Sequence, residues 1–271
     1  MLGRDLLREG ERRGIRMIGR DLPELDVTDD VALGAAIRGL SPEVVVNCAA
    51  FTKVDDCEKE RDLARRVNGE AVANLAAAAD EAGALLVQIS TDFVFDGSLR
   101  RPLREDDPVG PISEYGRSKL LGEENARRAA EHLVIRTSWL FGVDGWNFVE
   151  AIRKQVRAGR SELTVVDDQV GSPTSTVDLS AAICDLVAAG ARGVVHFSNA
   201  GEVSWRGFAE EIVRIDGKPV RVTPIDSATL GRPAPRPAWS VLDTGRFREL
   251  VGHPPRSWQS ALADYARSKP D

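Results

Sequence analysis

Gln88-Ile89-Ser90-Thr91-Asp92-Phe93-Val94-Phe95-Asp96-Gly97, with Glu114-Tyr115-Gly116-Arg117-Ser118-Lys119-Leu120-Leu121-Gly122-Glu123 downstream of it, is the stretch from which the fold is read. The apolar run Leu85 to Ser90 predicts a strand, and Glu114 to Glu131 predicts a helix, so together they make a strand, a loop and a helix. The same alternation repeats on both sides. Further strands are predicted at Ile15 to Gly19, Glu43 to Cys48, Leu133 to Ser138, Leu163 to Val166 and Val194 to Ser198. Between them fall helical patterns at Val31 to Gly39, Leu63 to Glu81, Asn147 to Ala158 and Val177 to Ala189. Alternation of this kind is the signature of βαβ units, so the expected fold class is α/β: a Rossmann-like doubly wound parallel sheet. Dense alanine from Glu70 to Ala82 favours a helix packed closely on the sheet, and Gly83 marks its C-terminal stop.

Further along, the proline-dense run Arg232-Pro233-Ala234-Pro235-Arg236-Pro237 reads as an extended loop. It separates a helix at Trp205 to Ile215 from final helices at Thr244 to Val251 and Trp258 to Ala266. The C-terminal third is therefore expected to form a smaller lobe over the sheet.

With 271 residues, 42% of them hydrophobic and 29% charged, the chain can bury a large core and has the composition of an ordinary globular protein. A formal net charge of −6 argues against binding nucleic acid, because phosphate affinity needs clustered Lys and Arg. Cys48, Cys57 and Cys184 show no metal-ligand spacing, and only three histidines accompany them, so no metal site is read and a reducing compartment is expected. The sequence has no apolar run of about 18 residues and no signal-peptide pattern, which predicts a cytoplasmic protein without a membrane partner.

Chemistry is carried by Tyr115 and Lys119. At i and i+4 they share a helix face, so an ammonium can sit near the phenol and draw its pKa down from about 10. A phenol so tuned is a usable acid. The strand-loop Ser90-Thr91-Asp92 precedes this helix.

These motifs, together with Asn47-Cys48-Ala49-Ala50-Phe51-Thr52-Lys53-Val54-Asp55, Arg136-Thr137-Ser138-Trp139-Leu140-Phe141-Gly142, Asp168-Gln169-Val170-Gly171-Ser172-Pro173-Thr174 and Arg236-Pro237-Ala238-Trp239-Ser240-Val241-Leu242-Asp243, resemble the extended short-chain dehydrogenases. Within them the resemblance is to the dTDP-4-dehydrorhamnose reductases, over nearly the whole chain. The resemblance implies a single NAD(P)-binding domain over 1–271, with about 140–175 and 199–271 supplying a substrate-binding lobe. It implies reduction of the 4-keto group of dTDP-4-dehydro-beta-L-rhamnose to dTDP-beta-L-rhamnose with NADPH or NADH. Thr91, Tyr115 and Lys119 would be catalytic. Met1, Leu2, Gly3, Arg20, Asp26, Val27, Ala49, Ala50 and Thr52, with Tyr115 and Lys119, would hold the cofactor. Arg20 could pair with a 2′-phosphate and so favour NADPH. Thr91, Asp92, Trp139, Asn147 and Arg236 would contact the nucleotide-sugar, Arg236 at its diphosphate. Mg2+ and a homodimer are left open, neither being legible in the sequence. Two other readings stand beside this one: a reductase or epimerase of another nucleotide-sugar, and a non-catalytic relative resembling the regulatory subunit of methionine adenosyltransferase.

The beginning departs from that pattern. A helical pattern follows Met1 directly, where the family would place a first strand and a glycine-rich turn, of which Gly3 would be the last glycine. The expectation is either a start codon assigned too late or a real truncation, with the sheet short of a central strand and the pyrophosphate weakly held.

Overall fold

The computed structural model describes residues Met1–Lys269, so the last two residues of the lobe expected at 199–271 lie outside the described residues. The chain opens with α1 (Leu2–Arg13) and α2 (Asp30–Leu40), followed by β1 (Val44–Asn47). Two short helices, α3 (Val54–Cys57) and α4 (Arg61–Arg65), lead through a π-helical turn at Arg66–Glu70 into α5 (Ala71–Ala82). Next come β2 (Leu85–Thr91), α6 (Glu114–Ala126), β3 (His132–Thr137), β4 (Leu140–Phe141) and α7 (Phe148–Arg157). They are followed by β5 (Glu162–Val166), β6 (Val170–Gly171), β7 (Thr174–Ser175), α8 (Thr176–Ala188) and β8 (Gly193–His196). The remaining elements are β9 (Val203–Ser204), α9 (Trp205–Ile215), β10 (Arg221–Ile225), α10 (Ser227–Leu230), α11 (Gly245–Val251) and α12 (Trp258–Ser268).

A parallel sheet in the order β1-β2-β3-β8 forms the frame. Its two faces bury different sets of side chains. On one face Leu2 and Leu6 of α1, Leu179 and Ile183 of α8, and Phe247 of α11 pack on Val87, Leu133 and Val195. On the other, Leu33 and Ile37 of α2 and Val72 and Leu75 of α5 pack on Leu86 and Val134. Helices therefore cover both faces, as the alternating pattern predicts. A separate core joins α7, β5, α9, β10 and α12 through Ile152, Leu163, Phe208, Val222 and Leu262. A two-stranded parallel pairing of β5 with β10 forms its floor.

Three sequence expectations are corrected. Ile15 to Gly19 is not a strand: β1 is the sheet edge, and no described residue offers Ile15 to Gly19 a ladder. Without such a partner extended backbone does not become sheet. Ile15 and Ile18 are accordingly exposed, while Met17 still packs on the core. The helix expected over Leu63 to Glu81 is interrupted by the π turn, where the Asn68 side chain binds the Phe51 backbone. The helix expected from Glu114 to Glu131 stops at Ala126, and beyond it Ala130 N–H donates to Asp80 Oδ1 at 2.9 Å.

α6 sits unusually close to its neighbours. Ser113 caps it, accepting the Gly116 N–H at 3.1 Å. A Cβ on Gly116 would lie 2.3 Å from Phe93 O, and one on Gly122 would lie 2.2 Å from Asn68 O, so only glycine permits this approach. What fixes the helix along the sheet is a buried ion pair. Glu123 of α6 is wholly buried and Arg136 of β3 is 1% exposed. Arg136 donates through Nε and Nη2 to the two Glu123 oxygens, both at 2.8 Å. Ser90 of β2 donates to the same carboxylate at 2.6 Å.

Removing one partner of such a pair strands a charge in the core. Arg136→Met is therefore expected to cost about 3–5 kcal/mol in urea unfolding, and the double variant Glu123→Gln/Arg136→Met to recover most of that loss. A cost below about 1 kcal/mol for the single variant would show that the clamp does not hold α6.

Candidate active site

The carboxyl end of β2 delivers Thr91 and Asp92, and the first turns of α6 deliver Tyr115 and Lys119 against them. Tyr115 is half-buried, with its ring edge-on to Phe93 at 5.5 Å between centroids. Burial pushes the phenol well above its ordinary value, and the adjacent Thr91 hydroxyl draws it back down. Lys119 is buried, and its Nζ donates to Ile89 O at 2.6 Å. Burial lowers its ammonium to about 8, opposed by the charge of Glu123 one turn on. The i, i+4 expectation is thus met in place but not in pairing. Lys119 is tied to the strand carbonyl, and the hydroxyl that acts on the phenol belongs to Thr91.

Thr91 Oγ1 donates to Asp92 Oδ1 at 2.9 Å and accepts the Phe93 N–H at 3.2 Å. Asp92 is buried, and burial lifts its carboxyl to about 6. The other oxygen, Oδ2, is buried without a hydrogen-bond partner.

Of the residues proposed for a dinucleotide, Met1, Leu2 and Gly3 lie at the start of α1, Arg20, Asp26 and Val27 between α1 and α2, and Ala49, Ala50 and Thr52 in the loop after β1. Met1 forms the N-terminal cap of α1 without a side-chain bond, Leu2 is in the core and Gly3 is half-buried. Ala49 N–H donates to Asn47 Oδ1 at 3.1 Å, with Ala50 half-buried and Thr52 exposed. Asn68 holds this loop to α6: it receives Phe51 N–H at 2.7 Å and donates to Phe51 O and to Ser118 Oγ at 3.0 and 2.9 Å. Arg20 is exposed and lies 3.5 Å from Glu24. Asp26 accepts the backbone N–H and the hydroxyl of Thr28, which hold its carboxyl below the ordinary value, and Val27 beside it is half-buried. The donor set suits a dinucleotide. Lys119 spends one of three N–H groups on Ile89 O, leaving two for ribose hydroxyls, and the side chains of Ala49 and Ala50 leave room for close approach.

On the opposite side, Trp139 has φ +48° and stacks on Trp205 at 3.6 Å, 6° from parallel. Its indole covers Gly171, where a Cβ would lie 2.6 Å from the ring. Asn147 caps α7: its amide donates to Gly142 O and Gly145 O at 2.9 and 3.2 Å and accepts the Glu150 N–H at 3.2 Å. Those bonds occupy the polar groups proposed for a nucleotide-sugar. Arg236 donates to Asp55 Oδ1 at 3.1 Å, and Arg232 donates to Asp55 Oδ2 at 3.1 Å, so the proline-rich loop is fastened to α3.

Sequence reasoning left Asn68, Glu123, Asp55 and Trp205 without a role. Arg136 carried a signal: a charged residue ending the apolar run Leu133-Val134-Ile135 on a buried strand demands a buried counter-charge. Asn68 and Trp205 carried none, since each acts on a distant part of the chain. Among the described residues no helix is long and apolar enough to cross a membrane, and no group of three or more His, Cys, Asp or Glu side chains is placed to hold a metal ion.

Comparison with known proteins gives a consistent set. The family model described as RmlD substrate binding domain matches residues 1–269. A dTDP-4-dehydrorhamnose reductase of Streptomyces griseus is 42% identical over 272 residues, 97% of this chain and 89% of the relative. The crystal structure of a dTDP-4-dehydrorhamnose reductase from Clostridium acetobutylicum superposes with TM-score 0.95 at 40% identity, covering 98% of this chain and 95% of that one. One from Bacillus anthracis, in complex with NADP, superposes with TM-score 0.94 at 35% identity, covering 99% and 95%.

The lowered Lys119 value has a consequence for stability. Between about pH 8 and about pH 10.4 the unfolded chain binds more protons at this position than the folded chain, so stability rises with pH across that window. Urea unfolding at about pH 8 and about pH 9.5 is expected to show about 1–2 kcal/mol more gain for the wild type than for Lys119→Met. Equal gains would mean that Lys119 titrates as an exposed lysine.

Proposed function

This chain belongs to the RmlD substrate-binding-domain family, and from that premise we propose that it is an NADPH-dependent reductase of the 4-keto group of dTDP-4-dehydro-beta-L-rhamnose, yielding dTDP-beta-L-rhamnose. The observation that carries the reading is the convergence of Thr91, Tyr115 and Lys119 at the carboxyl end of β2, with the phenol against the Thr91 hydroxyl and the ammonium anchored beneath. That end of a doubly wound sheet is where such folds bind ligands. The same convergence favours an enzyme over a non-catalytic relative.

NADPH, when bound, supplies the hydride. Tyr115 gives its proton to the carbonyl oxygen as the carbon is reduced, and Thr91 orients and polarises that oxygen. Lys119, held by Ile89 O, would present its remaining N–H groups to ribose hydroxyls. The second core, built on α7, α9 and α12, carries the nucleotide-sugar, with the Trp139–Trp205 stack as its aromatic surface. We place the protein in the cytoplasm, where its three free cysteines remain thiols.

Purified protein is expected to oxidise NADPH only when dTDP-4-dehydro-beta-L-rhamnose is present. Tyr115→Phe should lower kcat by about 10²–10⁴-fold and leave NADPH affinity nearly unchanged, because the ring remains and only the proton donor goes. NADPH binding without turnover in the wild type would favour the non-catalytic reading, and faster turnover of a different nucleotide-sugar would reassign the substrate.

A further inference from the structure

Thr91 has one hydroxyl proton, and here it is given to Asp92 Oδ1 at 2.9 Å. Thr91 Oγ1 in turn accepts the Phe93 N–H. A hydroxyl donates a single hydrogen bond, so while Asp92 is a carboxylate Thr91 has no proton to offer a substrate oxygen. The surroundings of Asp92 suit a neutral acid. It is 2% exposed, and its Oδ2 is buried without a partner. The groups that face it are the Thr91 and Ser240 hydroxyls, the backbone N–H groups of Asp92 and Phe93, and the Tyr115 phenol of α6. None of these is a cation. Burial accordingly lifts the carboxyl to about 6, far nearer neutrality than an exposed aspartate.

We propose that Asp92 works as a protonated acid: a proton on Oδ1 donates to Thr91 Oγ1 and turns the Thr91 hydroxyl toward the substrate carbonyl oxygen beside Tyr115. Protonation of Asp92 thus switches Thr91 between idle and armed. Oδ2 is then the carbonyl oxygen of the neutral acid. No proton leaves Asp92 in the reaction. The proton that reaches the substrate comes from Tyr115, and Asp92 is a positioning residue acting through Thr91. The inference rests on the reductase reading above.

The test is kcat/KM for the nucleotide-sugar, which at saturating NADPH reports the enzyme before the sugar binds, measured from about pH 5 to about pH 8 for the wild type, Asp92→Asn and Thr91→Val. The wild type is expected to lose about tenfold per pH unit above the Asp92 value. Asp92→Asn carries an amide N–H that donates to Thr91 at every pH, so its kcat/KM should lack that limb and stay flat across the range. Thr91→Val should be slower and also lack the limb. Lys119 is common to all three, so its own titration cancels from the comparison. A second readout needs no substrate: in protein labelled with 13C at the aspartate carboxyls, the resonance missing from Asp92→Asn should titrate well above the ordinary aspartate value near about 3.9. A limb in Asp92→Asn that parallels the wild type would overturn the proposal. So would an inactive Asp92→Asn with native circular dichroism and native NADPH affinity, or a resonance ionised throughout. A wild type that binds NADPH but reduces no nucleotide-sugar would instead sink the reductase reading, and this inference with it.

Discussion

Glu123 has no contact with water, and its carboxylate is held by Arg136 and Ser90 from two adjacent strands. The geometry of the site depends on this contact. Burying an ion pair brings little net stability, because the desolvation of both charges offsets their attraction. Its effect is on register. A helix resting on a sheet through apolar contacts alone could slide by a turn with modest loss, whereas α6 shifted by one turn would leave both charges unpaired. Gly116 and Gly122 work with the pair, letting the helix backbone approach Phe93 O and Asn68 O. Through this registry Tyr115 meets Thr91 and Lys119 reaches Ile89 O.

The clamp also shapes the electrostatics of the site. Lys119 lies one helical turn from Glu123, and that carboxylate partly offsets the burial that would otherwise neutralise the ammonium further. His196 lies on the far side of Arg136, lowered to about 3 by burial and by the guanidinium, so it stays neutral and accepts from Arg136 while its Nδ1 bonds Leu103 O. The buried network is therefore charged only where a counter-charge is present. Asp92 has no such counter-charge among the groups that face it, which is why its environment favours the neutral form.

Two other fastenings bring distant chain segments to the same place. Asp55 ties down the loop that carries Arg232, Ala234 and Arg236. Asn68 ties the loop after β1 to α6, and the π turn that presents it is a local departure from α-helix of the kind often found beside functional sites. The aromatic stack of Trp139 on Trp205 joins the end of β3 to α9, and so the sheet to the second core.

Period and punctuation in the sequence were enough to place most elements of the fold: apolar runs for β2, β3 and β8, and Gly83, in its left-handed conformation, ending α5. Thr91, Tyr115 and Lys119 were legible because a strand end and an i, i+4 helix face are local facts. Ile15 to Gly19 was misread because being a strand depends on a neighbour that local pattern does not reveal. Asn147 illustrates the same limit from the side chain: residue type alone does not reveal that its amide bonds Gly142, Gly145 and Glu150. The sequence by itself determined the alternation of elements and which residues are candidates for the chemistry. Tertiary structure decided which of their protons and charges are free to act, because hydrogen-bond partnership and burial arise between segments that the chain holds far apart.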